Sequence, residues 1–261
     1  RFTLYEQALR AGLGLFYASE AVERDEWTQF VKALDVERQL PGINGVGFID
    51  YVLAQNLDHY MEWVRNDGEI DFAVHPEPLY PDKFVIRLIE PIAINKEALG
   101  LDIGFEAHRR TAAERARDLG VSALTERIEL VQDNKKRKGF LLLLPLYHKK
   151  GVPDILEERR MHFKGWVYAP FIGENFLKGL AFFGHNEVDF KVFDGSHVDQ
   201  DAIIYNGNME LNTKGFNYSK VTQILIAGRQ WTIEWWPTNK YTQPANSNTS
   251  MYILATGWFV S

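Results

Sequence analysis

Apolar residues near the start of the chain recur at three- and four-residue steps along two stripes. Phe2, Tyr5, Leu9, Leu13 and Phe16 form one; Leu4, Ala8, Ala11, Leu15, Ala18 and Val22 form the other. This period predicts a long amphipathic helix. A surface helix needs a single apolar face to sit on its own domain, so the second stripe predicts a further packing partner: a dimer mate, or deeper burial in the same chain. Asp25 stands where an N-cap would, ahead of a second helix whose inward face is Trp27, Phe30, Val31 and Leu34.

Beyond Leu40 the period changes. Pro41-Gly42-Ile43-Asn44-Gly45 reads as a turn into a strand at 46–49, followed by a helix over 58–66 and a strand at 84–89 ended by Pro91. A charged helix with little apolar surface is expected over 106–119, closed by Gly120. Strands follow at 128–131 and 139–147, and the second is apolar at nearly every position, as in a strand buried on both faces. After a polar connection comes a strand at 165–171, then a short helix at 174–180. Further strands fall at 189–193, 203–205, 221–226 and 230–236, with Gly228-Arg229 as the hairpin turn between the last two. This order predicts an α+β architecture with antiparallel sheets. No internal sequence repeat is visible.

Composition narrows the function classes. The 261 residues, 46% hydrophobic and 25% charged, suit one large or two modest globular domains and exclude a disordered or fibrous chain. Twenty-nine Lys and Arg against 35 Asp and Glu argue against nucleic acid as a partner. The absence of cysteine removes disulfides, thiolate metal sites and cysteine nucleophiles together, and permits a periplasmic address. The longest strongly apolar run is far short of the roughly 18 to 20 residues of a membrane span. The chain opens at Arg1 without a start methionine or signal pattern, and is expected to be a segment of a longer protein.

Candidate chemistry is sparse. The seven histidines show no ligand spacing, so no metal site is expected, and no phosphate loop, nucleophile elbow or dinucleotide fingerprint indicates a cofactor or a catalytic residue. Asp50, Glu90, Asp102 and Glu106 are isolated acids. Lys135-Lys136-Arg137-Lys138 reads as a solvated hairpin tip.

A series of short fragments is more specific. Leu40-Pro41-Gly42-Ile43 with Gly47-Phe48, Ile89-Glu90-Pro91, Leu101-Asp102 and Arg115-Ala116-Arg117-Asp118-Leu119-Gly120 come first. Ala123-Leu124-Thr125, Pro145-Leu146-Tyr147 and Gly165-Trp166-Val167-Tyr168-Ala169 follow. In their order and spacing these resemble the CHASE domain, an extracytoplasmic sensory module of receptor histidine kinases and nucleotide cyclases, over about residues 38 to 180. The resemblance implies a long N-terminal stalk helix followed by two PAS-like units with antiparallel sheets. Their expected limits are 1–38 for the stalk helices, 39–172 for a membrane-distal ligand-binding unit and 173–261 for a membrane-proximal unit.

The resemblance also implies a function. The segment would lie in the periplasm as part of an inner-membrane protein anchored by flanking transmembrane helices, and would have no enzymatic activity of its own. It would pair as a homodimer through the N-terminal helix, bind a small molecule in the distal unit, and relay the signal through the stalk to a histidine kinase or diguanylate cyclase. In the plant cytokinin receptors of this family a pocket aspartate hydrogen-bonds the adenine-like ligand, and Asp102 occupies the matching position. The expected pocket is Asp102 with Leu101, Phe84, Ile86, Leu124, Leu142 and Leu144. Strand alternation leaves Leu141 and Leu143 as the competing pair, and a cap for the following helix is the competing role of Asp102. The alternative for the whole segment is a periplasmic protein-interaction module without a small-molecule ligand.

Overall fold

A computed structural model describes residues 2–76, 80–130, 137–148, 151–181, 188–207 and 219–238. The first apolar stripe forms the inner face of α1 (Phe2–Ala18), and α2 (Arg24–Ala33) and the one-turn α3 (Val36–Gln39) follow. The N-cap of α2 is Glu23, not Asp25. The Glu23 side chain accepts the backbone N–H of Glu26, while Glu26 Oε2 accepts that of Glu23 at 3.0 Å. This reciprocal pair satisfies two free N–H groups at once, which leaves Asp25 in the first turn, where its charge suits the helix dipole.

Strands β1 (Val46–Leu53), β2 (Asp82–Glu90), β3 (Ala123–Leu124), β4 (Ile128–Glu129), β5 (Lys138–Tyr147) and β6 (Phe163–Ile172) build the first sheet. Its order is β2-β1-β6-β5-β3 with β4 also on β5, all antiparallel. The helices α4 (Leu57–Asn66), α5 (Ile92–Asn95), α6 (Ala107–Leu119) and α7 (Leu156–Met161) connect these strands. Helix α8 (Gly173–Ala181) leads to the second sheet, β7 (Val188–Asp194), β8 (Ile203–Asn206), β9 (Lys220–Ile226) and β10 (Arg229–Pro237), ordered β8-β7-β10-β9. Both sheets put their second strand at the edge, their first beside it, and their last next to the first. The topology is duplicated where the sequence shows no repeat.

The β9–β10 turn lies one residue earlier than its sequence signal. Ala227 and Gly228 carry φ of 42° and 75°, the two left-handed positions of a tight hairpin, while Arg229 already pairs with Ile226 in the ladder. Of the basic cluster, Lys135 and Lys136 lie outside the described residues, and Lys138 is ion-paired with Glu129.

Helix α1 lies on one face of the first sheet. Tyr5 meets Phe171 edge-on at 5.1 Å, Phe16 packs on Phe48 at 4.1 Å, and a Cβ at Gly12 would stand 3.1 Å from Val167, so that glycine sets how closely the helix approaches. The core on this side runs through Phe140, Phe176 and Trp231 into the second sheet. Polar contacts close the same junction: Leu124 N–H donates to Ala227 O at 3.1 Å, Arg127 N–H to Asp194 at 2.7 Å, and Arg229 bridges Asp194 and Glu126 at 2.6 and 3.0 Å. Of the second α1 stripe, Ala8 and Val22 are buried, Leu15 is half-buried, and Leu4, Ala11 and Ala18 are exposed.

Candidate ligand site

The opposite face of the first sheet is covered by α6. Its inward residues are Arg109, Arg110, Ala112, Ala113 and Ala116, so a helix with little hydrocarbon lies close to the strands through small alanines. Leu141 and Leu143 of β5 point to this side with Phe84, Ile86 and Leu101, whereas Leu124, Leu142 and Leu144 point to the α1 side. The expected pocket is therefore split by the sheet. Phe84, Ile86, Leu101 and Asp102 are brought together; the other three belong to the opposite core. From Phe140 to Tyr147 β5 is apolar at every position, so its pattern carries no parity, and the pairing of Leu143 with Tyr168 and Ala123 decides which side chains face α6.

Asp102 is 2% exposed, and its Oδ1 accepts backbone N–H groups of Phe84 and Gly104, each at 2.9 Å. It is the N-cap of the short 3-10 turn Ile103–Phe105, and it ties that turn to β2. The competing role, a cap, is thus the one seen. Its neighbours are equally occupied. Arg110 donates to Gly104 O at 2.8 Å, to both Asp82 Oδ1 and Asp82 O at 3.0 and 3.1 Å, and to Glu114 at 3.2 Å. Its guanidinium also lies 3.9 Å from the ring centre of Tyr80 and 4.2 Å from that of Phe84.

One residue away, Arg109 is 7% exposed and less well matched. Its Nη2 donates to Glu129 O at 2.6 Å, but among the described residues Nε has no hydrogen-bond partner. The nearest carboxylate, Glu106, is 3.8 Å away, and its oxygens already cap α6 by accepting the N–H groups of His108 and Arg109. On β6, in the same core, Tyr168 is 1% exposed and its hydroxyl is likewise without a partner among the described residues. Burial pushes this phenol well above its ordinary pKa, against the opposing pull of Arg109, so it keeps its proton. Burial also lowers the Arg109 pKa, against the opposing charge of Glu106.

The isolated acids all have structural tasks. Asp50 accepts from Arg87 at 2.6 Å and from Tyr60 at 3.0 Å, Glu90 accepts from Thr28 and from the Ile92 N–H, and Glu106 caps α6. Among the described residues no three metal-ligating side chains cluster, and no helix is long and apolar enough to cross a membrane. A cleft of about 750 Å³ opens where the pairing of β1 with β6 ends at Asp50 and Gly165. It is lined by Tyr60, Trp63, Arg160 and Met161, and it shares Tyr51 and Phe163 with the α6 side.

Arg109 and Tyr168 are absent from the pocket expected from sequence, though a signal existed. A helix as poor in hydrocarbon as 106–119 can cover a sheet only by placing alanines and arginine stems against it.

Comparison of the sequence with curated proteins finds no match. Among solved structures, an extracellular ligand-binding receptor from Desulfohalobium retbaense DSM5692 superposes with a TM-score of 0.53 at 14% identity over 90% of this chain, which spans 37% of that receptor chain. That likeness is one of fold. The ligand-binding domain of Mlp24 with asparagine aligns over 90% of this chain and 86% of its own, at 12% identity and a TM-score of 0.35, too distant to bear on the fold. The CHASE domain model matches residues 20–205, most of the chain and the whole of the first sheet. This match covers well over half of the chain, on a fold of mixed α+β elements with antiparallel sheets: the chain belongs to the CHASE domain family, whose members are extracytoplasmic, non-catalytic sensory domains.

Proposed function

We propose that this domain senses a small molecule bound on the α6 side of its distal unit. Binding alters how the first sheet packs on α1, and the stalk helix carries the change through a membrane-spanning helix to a histidine kinase or diguanylate cyclase output. A ligand can bias the two states only by its difference in affinity for them, so the bound state must repack the contacts between α6 and the sheet. The observation that carries this reading is the pair of buried, unpartnered hydrogen-bonding groups in that core, Arg109 Nε and Tyr168 Oη. An adenine-like ligand would have to compete at Asp102 Oδ1 with two backbone N–H groups.

A thermal-shift screen of purines and other small metabolites on the wild type and on Asp102→Ala tests the site. A ligand in excess raises the melting temperature; no hit across a broad screen would sink the sensor reading. A purine hit abolished by Asp102→Ala, with the fold intact, would restore Asp102 as a ligand contact. Pairing through the exposed stripe Leu4, Ala11 and Ala18 makes the chain a homodimer, and a monomer mass in sedimentation would remove that part. Anchoring in the inner membrane requires apolar spans on both sides of the segment in the parent reading frame, and their absence would end it. The competing reading, docking of a periplasmic protein, has in its favour the exposed Leu53, Trp63 and Met161 around the β1 cleft.

A further inference from the structure

The α6-side core contains several buried polar side chains, and nearly all are matched. Trp166 Nε1 donates to Ala113 O at 2.9 Å, Tyr147 Oη to Arg117 O at 2.5 Å, and Thr125 Oγ1 accepts the Leu141 N–H at 3.0 Å; Asp102 and Arg110 are satisfied as described. Against that background two side-chain groups of this core, Arg109 Nε–H and Tyr168 O–H, have no hydrogen-bond partner among the described residues. A buried donor without a partner carries its desolvation penalty uncompensated, the more so when charged, so two together are a standing cost to the unliganded fold. The tyrosine is held firmly in place. Its ring lies over Gly47, where a Cβ would stand 2.4 Å from Cε1, and its strand neighbours are Gly47 and Leu143.

We infer that Arg109 and Tyr168 form the recognition point for a carboxylate, and that the ligand of the distal unit is a small monocarboxylate anion rather than an adenine. This rests on the sensor reading above and names the ligand chemistry of the same site. Two donors and one buried positive charge match one carboxylate, whose oxygens accept from the phenol and from Nε–H. A phosphate dianion would bring a second charge for which this core has no cation to spare, since Arg110 is already paired with Asp82 and Glu114. Adenine presents ring and exocyclic N–H donors to a carboxylate, whereas Asp102 is 2% exposed and already serves, through Oδ1, as the cap of the Ile103–Phe105 turn and the tie to β2.

The experiment compares acetate, lactate and benzoate with inorganic phosphate and adenine as probes, by thermal shift and titration calorimetry on the wild type, Tyr168→Phe and Arg109→Gln. At least one carboxylate is expected to bind the wild type, and its affinity to fall about tenfold or more in both variants, the effect of one lost hydrogen bond to a charged group. Arg109→Gln also gives up the bond to Glu129, so a failure to fold there decides nothing; Tyr168→Phe carries the test. Its hydroxyl has no protein partner, so the unliganded variant should melt at or above the wild-type temperature. Melting clearly below it would mean that the hydroxyl holds a structural water, and the inference would fall. It would also fall if no carboxylate bound, or if Tyr168→Phe left carboxylate binding unchanged. Stabilisation by adenine or phosphate alone would overturn the carboxylate while leaving the sensor reading intact; a blank result in the broader metabolite screen would remove both.

Discussion

The two faces of the first sheet are buried by different means. On the α1 side the inward side chains are hydrocarbon and aromatic, with Tyr5, Phe16, Phe48, Phe140, Phe171 and Phe176 in ring contact, and the core continues into the second sheet. On the α6 side the cover is a helix of alanines and arginines, and the core holds charged groups whose hydrogen bonds are almost, but not wholly, complete. The first kind of face resists change, because packed aromatic surfaces leave little room for a second arrangement. The second kind has something to gain from an added acceptor. The proposed sensing uses both: a stiff layer joined to α1, and a face whose energy depends on a ligand.

The comparison can be broken at several points, with effects of decreasing size. Phe171→Ala removes the ring that touches Tyr5, Phe140 and Phe176, and should cost about 3 to 5 kcal/mol in urea unfolding. A loss below about 1 kcal/mol would show the α1 face to be loosely packed. On the other face Arg110→Met strips Asp82 of its buried partner, with an expected loss of about 3 kcal/mol. Since the donors of Arg110 are matched and Nε of Arg109 has no hydrogen bond among the described residues, carboxylate binding should survive this change in whatever fraction stays folded; its loss would move the recognition point to Arg110.

The smallest effect lies at the end of α6. Asp118 accepts from Arg117 at 2.7 Å and from Arg160 at 2.5 and 3.1 Å, which ties α6 to α7. Burial pushes its carboxyl up, but the hydrogen bonds and charges of the two arginines outweigh this and hold it at about 2 against an ordinary 3.8. A depressed folded value means that the contribution is complete above about pH 4 and is lost as pH falls toward 2. Asp118 is half-buried but Arg160 is exposed, so solvent screens the pair and the amount is small. Asp118→Asn should flatten the stability profile in that window alone, and an unchanged acid limb would show the pair to be a surface contact of no weight.

Much of the fold was legible in the amino-acid pattern because the signals are local. The 3.6-residue period of α1, the closing Gly120 at φ 70°, and the β-branched run of β2 each depend on neighbours within one or two turns. The cap of α2 was misplaced by two residues because several acids compete there, and only a reciprocal side-chain to backbone pairing chooses among them. The candidate site was half legible. Phe84, Ile86, Leu101 and Asp102 do come together, while Leu124, Leu142 and Leu144 face away.

By itself, then, the sequence determined the kinds of element, their order, the α+β class and the family, since periodicity, turn residues and spaced fragments are written along the chain. Only the tertiary structure decided three things. The first is the parity of β5, because a strand apolar on both sides looks the same whichever way it faces. The second is the work of Asp102, because its partner Phe84 lies 18 residues away on another strand. The third is the state of Arg109 and Tyr168, because whether a buried donor finds an acceptor depends on every element packed around it. That last property belongs to no segment of the chain, and the proposed recognition of a carboxylate rests on it.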